Sequence, residues 1–541
     1  MNTSSTSTFQ ALGALAPAPP AGQPGAATAA LGVRGFLVGG TASGAGKTTL
    51  TLALIAALVA RGHSVQPFKV GPDPIDLSLH SAVAGRQGYS LDAFLGGQEG
   101  CCQTFYRPFV AAAGQHMSLA GAQSPQPGSQ PIQPAPCTMA VVEGVMGLFD
   151  GVAFGGEEGS PAQIAKWLGL PVVLVLDARS LARSVAALAQ GFVHFDPQLS
   201  FAGVVCNRVG SPRHAAILCQ ALQDHCPQVR LLGCMPRLED IRLPARYLGL
   251  VAEEATANPH GFASTLRQWA EDHLDMDALV AALPDVALPA PEQAHLTLPS
   301  CQSEASVGNM VASTAATPVP HAGARNSSKV RVAVAHDAAF SFYFQENRDR
   351  LEAAGAELCF FSPLHDAALP AGVQGLWLGG GYPELVAEGL AANQPMLRAV
   401  RQFAQAGGTV WAEGGGFMYL MQGVTTASGQ EYAMAGVFPF ACRMHAKRQA
   451  LGYRLLNVQQ PCCLAPAPTV LRGHEFRYSA LVGEPLPHSV TCVGTLADAS
   501  GNATGGMAYS PAGLPATLGL YAHLYLGSFP ASAAAFLTPA L

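Results

Sequence analysis

The sequence predicts an α/β protein built from two doubly wound domains. Three observations support this class. Short β-rich runs alternate with helical patterns in both halves of the chain, which is typical of parallel sheets covered by helices. A glycine-rich turn in the first half joins an apolar run to an apolar helix. A segment rich in Ala, Pro, Ser, Thr and Gln separates the two halves.

The glycine-rich turn lies between Gly35 and Thr51 and reads GFLVGGTASGAGKTTLT. Such glycines let backbone N–H groups surround phosphate oxygens, while the lysine of GKT supplies positive charge and the threonine after it is placed to bind Mg²⁺. The first glycine of the usual P-loop is displaced by one position, to Gly40. The nucleotide-binding positions that this loop predicts are Gly40, Thr41, Gly44, Gly46, Lys47, Thr48 and Thr49.

Composition excludes several classes of function. Only 12% of the residues are charged, the net charge is −6, and no basic block occurs, so nucleic acid is not the expected principal partner. The 13 cysteines form no CxxC pair and show no metal-ligand spacing, which indicates reduced thiols in a cytoplasmic protein. The longest apolar run, Leu50 to Ala60, is too short to span a bilayer.

The chain divides into four expected parts. Residues 1–32 carry no charged side chain, which argues against a signal or transit peptide and favours a disordered extension, with an organellar address as the alternative. Residues 33–282 form a P-loop domain with a low-complexity insertion at about 111–138. Residues 283–329 form a linker, and residues 330–541 form the second α/β domain.

Two further strands of the first domain should deliver charged residues to the edge of the sheet where the P-loop lies. The strand in VQPFKVGPDPID brings Lys69 and Asp73, for which ordinary charges on an exposed turn are the alternative. The strand in TMAVVEGVMGLFDG ends at Glu143. A carboxylate at the end of a central strand opposite a P-loop commonly holds Mg²⁺. We choose Glu143 for this role, with Asp150 as the nearest competitor.

Two more strand–helix units complete the first domain, with strands expected at 171–177 and 199–206. Asn207 follows the second of these strands directly, where its amide is in position to hydrogen-bond an adenine edge. A turn asparagine that is satisfied locally is the alternative.

The second half repeats the α/β pattern, with strands expected at 330–335, 357–362 and 373–378 and a helix at 344–354. GGGYPE follows the third strand. The segment GTVWAEGGGFMYL then predicts a strand that turns sharply into a helix. This is the shape of a nucleophile elbow, but Gly414 stands at its tip instead of a nucleophile.

Several motifs occur together and in order: PFKVGPD, VVEGVMGLFDG, VLDARSLARSVAALAQGF, GGGYPE, ALGYR and GHEF. This set resembles the cobyrinic acid and hydrogenobyrinic acid a,c-diamide synthases, and the P-loop form GTxSGxGKT resembles that of dethiobiotin synthetase. The resemblance covers roughly residues 33–255 and 330–535. It implies an N-terminal P-loop synthetase domain fused to a C-terminal class I glutamine amidotransferase-like domain.

The resemblance implies an ATP-dependent ligase of cobalamin biosynthesis that amidates the a and c acetate side chains of a corrinoid. Each carboxylate is phosphorylated to an acyl phosphate, which ammonia from glutamine then attacks. The residues suit the first step, because phosphoryl transfer needs positioning and charge neutralisation. Lys47 and Lys69, with Mg²⁺ held by Thr48, Asp73 and Glu143, could supply both.

The chain departs from this family at the glutaminase positions. Family members carry a cysteine in the elbow motif AECGG, where this chain has Gly414, so no thioester with glutamine can form there. The general-base histidine matches His523, which would be idle without a nucleophile. The second histidine of GHEFHYS is Arg477 here, which leaves His474 without that companion. The glycines of the oxyanion type remain as Gly380 and Gly381.

Three more points qualify the resemblance. Cys442 lies on a different segment from the elbow and is not expected to replace the nucleophile. A single-codon sequence error could explain the glycine at residue 414, but the second change, at Arg477, makes that explanation less attractive. The family's GPDYID is GPDPID here, and Pro74 restricts Asp73 before it, which affects the order or rate of the two amidations.

The leading hypothesis is therefore a cobyrinate a,c-diamide synthase that uses ATP, Mg²⁺ and ammonia, with glutamine use in doubt. The alternatives are a hydrogenobyrinate enzyme, an amidase of another tetrapyrrole, and a non-catalytic nucleotide-binding paralogue with a regulatory or scaffolding role. We expect small-molecule partners, no nucleic acid and no membrane. A homodimer is one assembly that the sequence allows.

Overall fold

The computed structural model describes residues 33–119, 138–152, 156–237, 259–286, 329–483 and 488–538. The expected N-terminal extension, most of the expected insertion and nearly all of the expected linker lie outside these ranges. The predicted class is confirmed, since two separate α/β units are present, one in each half of the chain. Within the described ranges, no helix combines the length and the apolar character that a membrane span requires.

The strands of the first unit are β1 (Arg34–Gly40), β2 (Val65–Val70), β3 (Tyr89–Leu91), β4 (Met139–Glu143), β5 (Val172–Asp177), β6 (Phe201–Val209) and β7 (Leu231–Pro236). Its helices are α1 (Lys47–Ala60), α2 (Pro74–Ala84), α3 (Ala93–Leu119), α4 (Pro161–Leu168), α5 (Ser184–Phe195), α6 (Pro212–His225), α7 (Pro259–His273) and α8 (Met276–Ala282). Near its start, α3 is interrupted at Gly97, whose φ is 64°.

The first sheet is parallel throughout, with strand order β3-β2-β4-β1-β5-β6-β7. Helices α1, α2, α7 and α8 pack on one face, and α3 to α6 pack on the other. Burial on both faces explains why β4, MAVVE, is buried at every residue. Because β2, β4 and β1 are neighbours, the residues that follow their carboxyl ends meet at one edge.

The strands of the second unit form a mixed sheet and a small one. They are β8 (Val330–Ala335), β9 (Ala356–Phe361), β10 (Gly375–Leu378), β11 (Thr409–Glu413), β12 (Gly423–Thr425), β13 (Glu431–Ala433), β14 (Ala441–Met444), β15 (Ala450–Val458), β16 (Thr469–Arg477), β17 (Ser479–Val482), β18 (Val490–Ala497), β19 (Ala503–Pro511), β20 (Thr517–Leu520) and β21 (His523–Leu524). The helices are α9 (Gln345–Ala353), α10 (Ala387–Ala392), α11 (Gln394–Gln405), α12 (Gly415–Leu420) and α13 (Ser532–Leu537), with 3₁₀ turns at Pro383–Leu385 and Leu526–Ser528.

The larger sheet has the order β21-β16-β15-β18-β19-β20-β11-β10-β8-β9. The part from β20 to β9 is parallel and contains the predicted strands, whereas the part from β21 to β19 is antiparallel and was not predicted. A four-stranded sheet, β13-β12-β14-β17, covers one side of the elbow region.

The two units pack against each other along β3 and the start of α3. The backbone N–H of Ser90 donates to the buried Glu346 carboxylate at 2.8 Å, and the Tyr453 hydroxyl donates to Asp92 at 2.8 Å. The rings of Phe94 and Tyr453 lie 4.6 Å apart. The interface thus combines buried hydrogen bonds with apolar packing, as the core of a single domain does.

Candidate active sites

The P-loop joins β1 to α1 with its glycines in the conformations that a phosphate cradle needs. Gly46 caps α1 with a φ of 96°, and no side chain caps the N–H groups of that helix start, which leaves them suited to an anion. Asn207 is hydrogen-bonded to the loop, because its amide nitrogen donates to the Ala45 carbonyl at 2.9 Å. A Cβ atom on Gly46 would lie 2.1 Å from the Asn207 amide nitrogen, so only glycine fits there.

Both polar groups of the Asn207 side chain have partners within the protein. Its amide oxygen accepts a hydrogen bond from the Arg208 N–H at 2.8 Å, in addition to the bond from its amide nitrogen to the loop. Its adenine-binding role stays a prediction.

Lys47 points from the start of α1 towards the segment that follows β4. Its ammonium group donates to the Ala42 carbonyl at 3.1 Å and also to the Met146 carbonyl. Burial, together with the nearby charge of Lys69, lowers the Lys47 pKa to about 8, although Glu143, Asp76 and Asp150 act in the opposite direction. The side chain is thus held among carbonyl groups that a phosphate could replace.

A buried cluster of charged and polar groups lies next to this lysine. The Thr48 hydroxyl donates to Glu143 Oε1 at 2.7 Å and lies 3.5 Å from Asp76 Oδ2. The Lys69 ammonium lies 3.1 Å from Glu143 Oε1 and 3.2 Å from Asp76 Oδ2. His80 Nε2 lies 2.6 Å from the other oxygen of Glu143, Oε2. Two carboxylates, one ammonium group and one imidazole therefore share a single buried site.

Opposite charges in this cluster stabilise the ionised forms of Glu143 and Lys69. Burial alone would raise the Glu143 pKa, but the Lys69 charge, the neighbouring His80 and the Thr48 hydrogen bond lower it to about 2. Burial likewise opposes the charge of Lys69, yet the carboxylates of Glu143, Asp76 and Asp73 raise its pKa. Burial and the charge of Glu143 raise the pKa of Asp76. Glu143 is thus a fixed anion at the carboxyl end of β4.

The structure places the predicted metal-binding residues in two different positions. Thr48 and Glu143 are in contact, whereas the Asp73 carboxylate caps α2 by accepting the N–H groups of Ile75 at 3.0 Å and Asp76 at 3.5 Å. Asp76, three residues further on, is the aspartate that reaches Thr48 and Lys69. The role of Asp73 as a metal ligand stays a prediction.

Asp150, the competitor to Glu143, stabilises a turn. Its carboxylate accepts the Gly147 N–H at 2.8 Å within the loop that follows β4.

The donor set around Thr48 suits Mg²⁺. It offers one hydroxyl and two carboxylates, and Mg²⁺ commonly takes one or two carboxylates together with waters and substrate phosphates. Among the described residues, no three His, Cys, Asp or Glu side chains form a complete protein-only metal cage. The site therefore fits a cation that arrives with the nucleotide better than one held by the protein alone.

The second unit contains the predicted elbow. Gly414 lies between β11 and α12 with a φ of 50° and a ψ of −111°, a backbone conformation that side chains rarely allow. A Cβ atom at this position would lie 2.8 Å from both Cε1 and Nε2 of His523. The glycine at the tip and the histidine are thus side by side, as they would be in a working nucleophile–base pair.

His523 is enclosed by neighbouring backbone. A Cβ atom on Gly380 would lie 2.1 Å from the imidazole. Only glycine at residue 380 therefore lets this backbone lie so close to the His523 ring. The buried Glu413 carboxylate accepts the Leu524 N–H at 2.6 Å, which fixes the strand that carries the histidine to the elbow. Burial lowers the His523 pKa to about 4, although Glu475 opposes this shift. The ring is therefore a neutral imidazole at physiological pH.

Two arginines contact Glu475, the glutamate whose charge acts on this histidine. Glu475 Oε2 accepts from Arg454 at 2.6 Å, and Glu475 Oε1 accepts from Arg477 at 2.7 Å. His474, on the same strand, is the register partner of His523, and burial followed by the charges near it lowers its pKa to about 3. Both carboxylate oxygens of Glu475 are thus hydrogen-bonded to arginines.

Cys442 lies on β14, in the small sheet, and not at the elbow. Burial raises its pKa to about 12, so it is a thiol at neutral pH and a poor nucleophile.

Comparison with known proteins agrees with this arrangement. Residues 36–251 match the family profile of the CobQ/CobB/MinD/ParA nucleotide binding domain, and residues 331–531 match that of the CobB/CobQ-like glutamine amidotransferase domain. The chain is 39% identical to the cobyrinate a,c-diamide synthase of Syntrophotalea carbinolica, across 93% of this chain and 97% of that protein. The chain belongs to the cobyrinate a,c-diamide synthase family.

Other members of the family are similar over most of the chain. The cobyrinate a,c-diamide synthase of Salmonella typhimurium is 39% identical, covering 84% of this chain and 88% of that protein. The hydrogenobyrinate a,c-diamide synthase of Streptomyces coelicolor is 40% identical, covering 82% and 86%. The resemblance inferred from the motifs is confirmed, and so is the order of its nucleotide-binding and amidotransferase-like domains.

Two polar residues at the nucleotide site were missed from the sequence. Asp76 lies in the same motif as Asp73, and the helix that begins at Pro74 carries Asp76 and His80 four residues apart on one face. That spacing was the available signal, although it does not distinguish a buried ligand from an ordinary core histidine.

Proposed function

We propose that this chain converts cobyrinate to cobyrinate a,c-diamide by ATP-dependent amidation, with ammonia as the nitrogen donor. The observation that carries the proposal is the buried cluster at the P-loop, where Lys47, Thr48, Lys69, Asp76 and Glu143 converge. The family supplies the substrate, since its members are named for cobyrinate or hydrogenobyrinate. An intact cluster of this kind also argues against a non-catalytic role.

The chemistry starts from a carboxylate, which is a poor electrophile. A carboxylate oxygen of the corrinoid attacks the γ-phosphorus of ATP, the bond to the β-phosphate oxygen breaks, and ADP leaves. Ammonia then attacks the carbonyl carbon of the acyl phosphate, phosphate leaves, and the nitrogen loses a proton. Each side chain passes through these two steps once.

The residues of the chain act mainly through charge and position. Lys47 and Lys69 neutralise the negative charge on the transferring phosphoryl group, and the N–H groups of the P-loop orient it. Thr48 and Glu143, with Asp76 or the predicted Asp73, would hold Mg²⁺. When bound, Mg²⁺ would neutralise negative charge that develops during phosphoryl transfer.

The choice of ammonia follows from the elbow. A glycine cannot form the thioester through which glutamine is hydrolysed, and the buried thiol of Cys442 lies on another sheet. The nitrogen donor should therefore come from solution.

One assay tests both parts of this proposal. Purified protein is given cobyrinate and MgATP with either ammonium chloride or glutamine, and the diamide is quantified by mass spectrometry. We expect diamide with ammonium and little with glutamine, and Lys47→Ala should remove it. Equal rates with both donors would refute the choice of ammonia, while no product with either would refute the synthetase activity.

The similarity to the Streptomyces coelicolor protein makes hydrogenobyrinate a second candidate substrate. Offering each corrinoid in turn in the same assay separates the two. The proposal also includes Mg²⁺ as the cation, a cytoplasmic location, a homodimer and the division of the chain into the four parts given above. Metal titration, cell fractionation, light scattering and limited proteolysis test them in that order.

A further inference from the structure

His80 is a buried residue that the proposed mechanism does not use. It lies on α2, one helical turn after Asp76, and it is fully enclosed. Its Nε2 atom is 2.6 Å from Glu143 Oε2. The contact is close, but its geometry is not that of an aligned hydrogen bond, and the Nδ1 atom of the same ring has no hydrogen-bond partner either.

The two oxygens of Glu143 have separate partners. Oε1 accepts from Thr48 at 2.7 Å and from Lys69 at 3.1 Å, whereas His80 contacts Oε2. Under the proposed function, the Thr48 hydroxyl would turn to the cation and Lys69 would turn to phosphate once MgATP binds. His80 has no such task, so it can stay in contact with Oε2 while Oε1 becomes free.

We propose that His80 is a positioning residue, which fixes one oxygen of Glu143 so that the other faces the nucleotide-bound cation. The inference rests on the proposed role of Glu143 in holding Mg²⁺. Partners that orient metal-binding side chains in this way typically change metal affinity or activity by about 10–100-fold when they are removed.

The test uses two polar substitutions of different reach. His80→Gln can place an amide N–H close to the position of Nε2, whereas the side chain of His80→Asn is too short to reach Glu143. Mn²⁺ binding is measured by the EPR signal of free Mn²⁺ in the presence of ADP, which needs no turnover. We expect H80N to weaken Mn²⁺ binding about 10–100-fold and H80Q to keep it within a few-fold.

Kinetics with ammonium give a second readout. If His80 acts on cation binding, H80N should lower the rate at limiting Mg²⁺ and recover most of it at saturating Mg²⁺. Leu79→Ala is the matched control, because Leu79 is buried on the same helix and its removal disturbs packing rather than the Glu143 contact. Thermal unfolding of each variant shows that the comparison is between folded proteins.

The outcomes separate this inference from the proposed function. If Glu143→Gln binds Mn²⁺ normally, the proposed role of Glu143 fails and the His80 inference fails with it. If E143Q loses Mn²⁺ binding but H80N does not, only the His80 inference is overturned. It is overturned as well if H80N weakens binding further in the E143Q background, or if L79A has the same effect at equal loss of stability.

Discussion

Substituting Gly414 by cysteine asks whether the glutaminase half of this chain lacks one residue or more than one. A cysteine restores the nucleophile, but its Cβ atom would lie 2.8 Å from the His523 ring, which must move by about 0.6 Å to reach ordinary contact at 3.4 Å. The positive φ of 50° adds strain of roughly 1–3 kcal/mol for a residue with a side chain. We therefore expect Gly414→Cys to fold with a Tm lowered by about 2–10 °C.

Activity of that variant with glutamine should remain low for an electrostatic reason. The thiolate–imidazolium pair needs a basic histidine, and the His523 pKa is only about 4. Glu475 could raise it, but Arg454 and Arg477 engage both of its oxygens. Arg477→His frees one oxygen, and each unit by which the His523 pKa then rises increases the ion-pair population about tenfold. We expect the double variant to hydrolyse glutamine about 10–100-fold faster than Gly414→Cys alone.

The assay is glutamate release from glutamine in the presence of cobyrinate and MgATP, followed by mass spectrometry of the diamide. The ammonium-dependent rate of each variant serves as the control for an intact synthetase. Cys442→Ala in the same background should change nothing, because the buried thiol is not at the elbow. Full glutamine use by Gly414→Cys alone, or no gain from Arg477→His in its presence, would refute the electrostatic reasoning.

Three further predictions follow from the nucleotide site and the domain interface. Asp76→Asn should lower ammonium-dependent turnover about 10–100-fold. Asp73→Asn should keep most of the turnover, because asparagine also caps helices. If steady-state kinetics show the opposite order, Asp73 is the metal-binding aspartate. Burial raises the Glu346 pKa to about 8. Between about pH 4.5 and 8 the folded state therefore binds more protons than the unfolded state. The free energy of unfolding then falls as the pH rises through that window. Urea unfolding from pH 5 to 8 should show a decline of up to about 1.4 kcal/mol per pH unit that Glu346→Gln removes, and equal slopes for both proteins would contradict it. Tyr453→Phe should cost about 1–3 kcal/mol in unfolding free energy because it leaves the Asp92 carboxylate without its hydroxyl donor, and an unchanged urea midpoint would count against that.

The elements at the nucleotide site could be predicted because each is set by local sequence. The P-loop glycines, the apolar run of β4 and the residue that ends it all lie within short stretches, and the rule for parallel sheets brings strand ends together. Glu143 and Lys69 were found in this way, and they are in contact.

The choice between Asp73 and Asp76 depended on one detail of backbone geometry. Proline at residue 74 starts α2, so Asp73 becomes its cap and turns its carboxylate back to the helix N–H groups, while Asp76 faces the cluster. His80 was missed because one buried histidine on an apolar helix has no signature of its own. What gives it meaning is a contact with a residue 63 positions away, Glu143, which no local pattern contains.

The antiparallel half of the second sheet and the domain interface could not be predicted either, because both depend on contacts between residues that are far apart in the sequence. Strands β15, β16, β18 and β19 form antiparallel pairs, and β16 also pairs with β21. The pairing of β16 with β21 places His474 beside His523. Glu475, on β16, is hydrogen-bonded to two arginines. These arrangements follow from register across the sheet, whereas the missing nucleophile at Gly414 was evident from a single motif.

The contact between Ser90 and Glu346 bears on why a second domain persists without its nucleophile. Ser90 is the register partner of Lys69 across β3 and β2, and Glu346 closes the outer edge of that pair. A chain shortened to its ATP-binding half would therefore expose the edge strand β3. Its neighbour β2 carries Lys69, the lysine that we propose to neutralise phosphate. The second unit would therefore still be needed to cover this edge strand if glutamine hydrolysis were lost, as we propose for this chain.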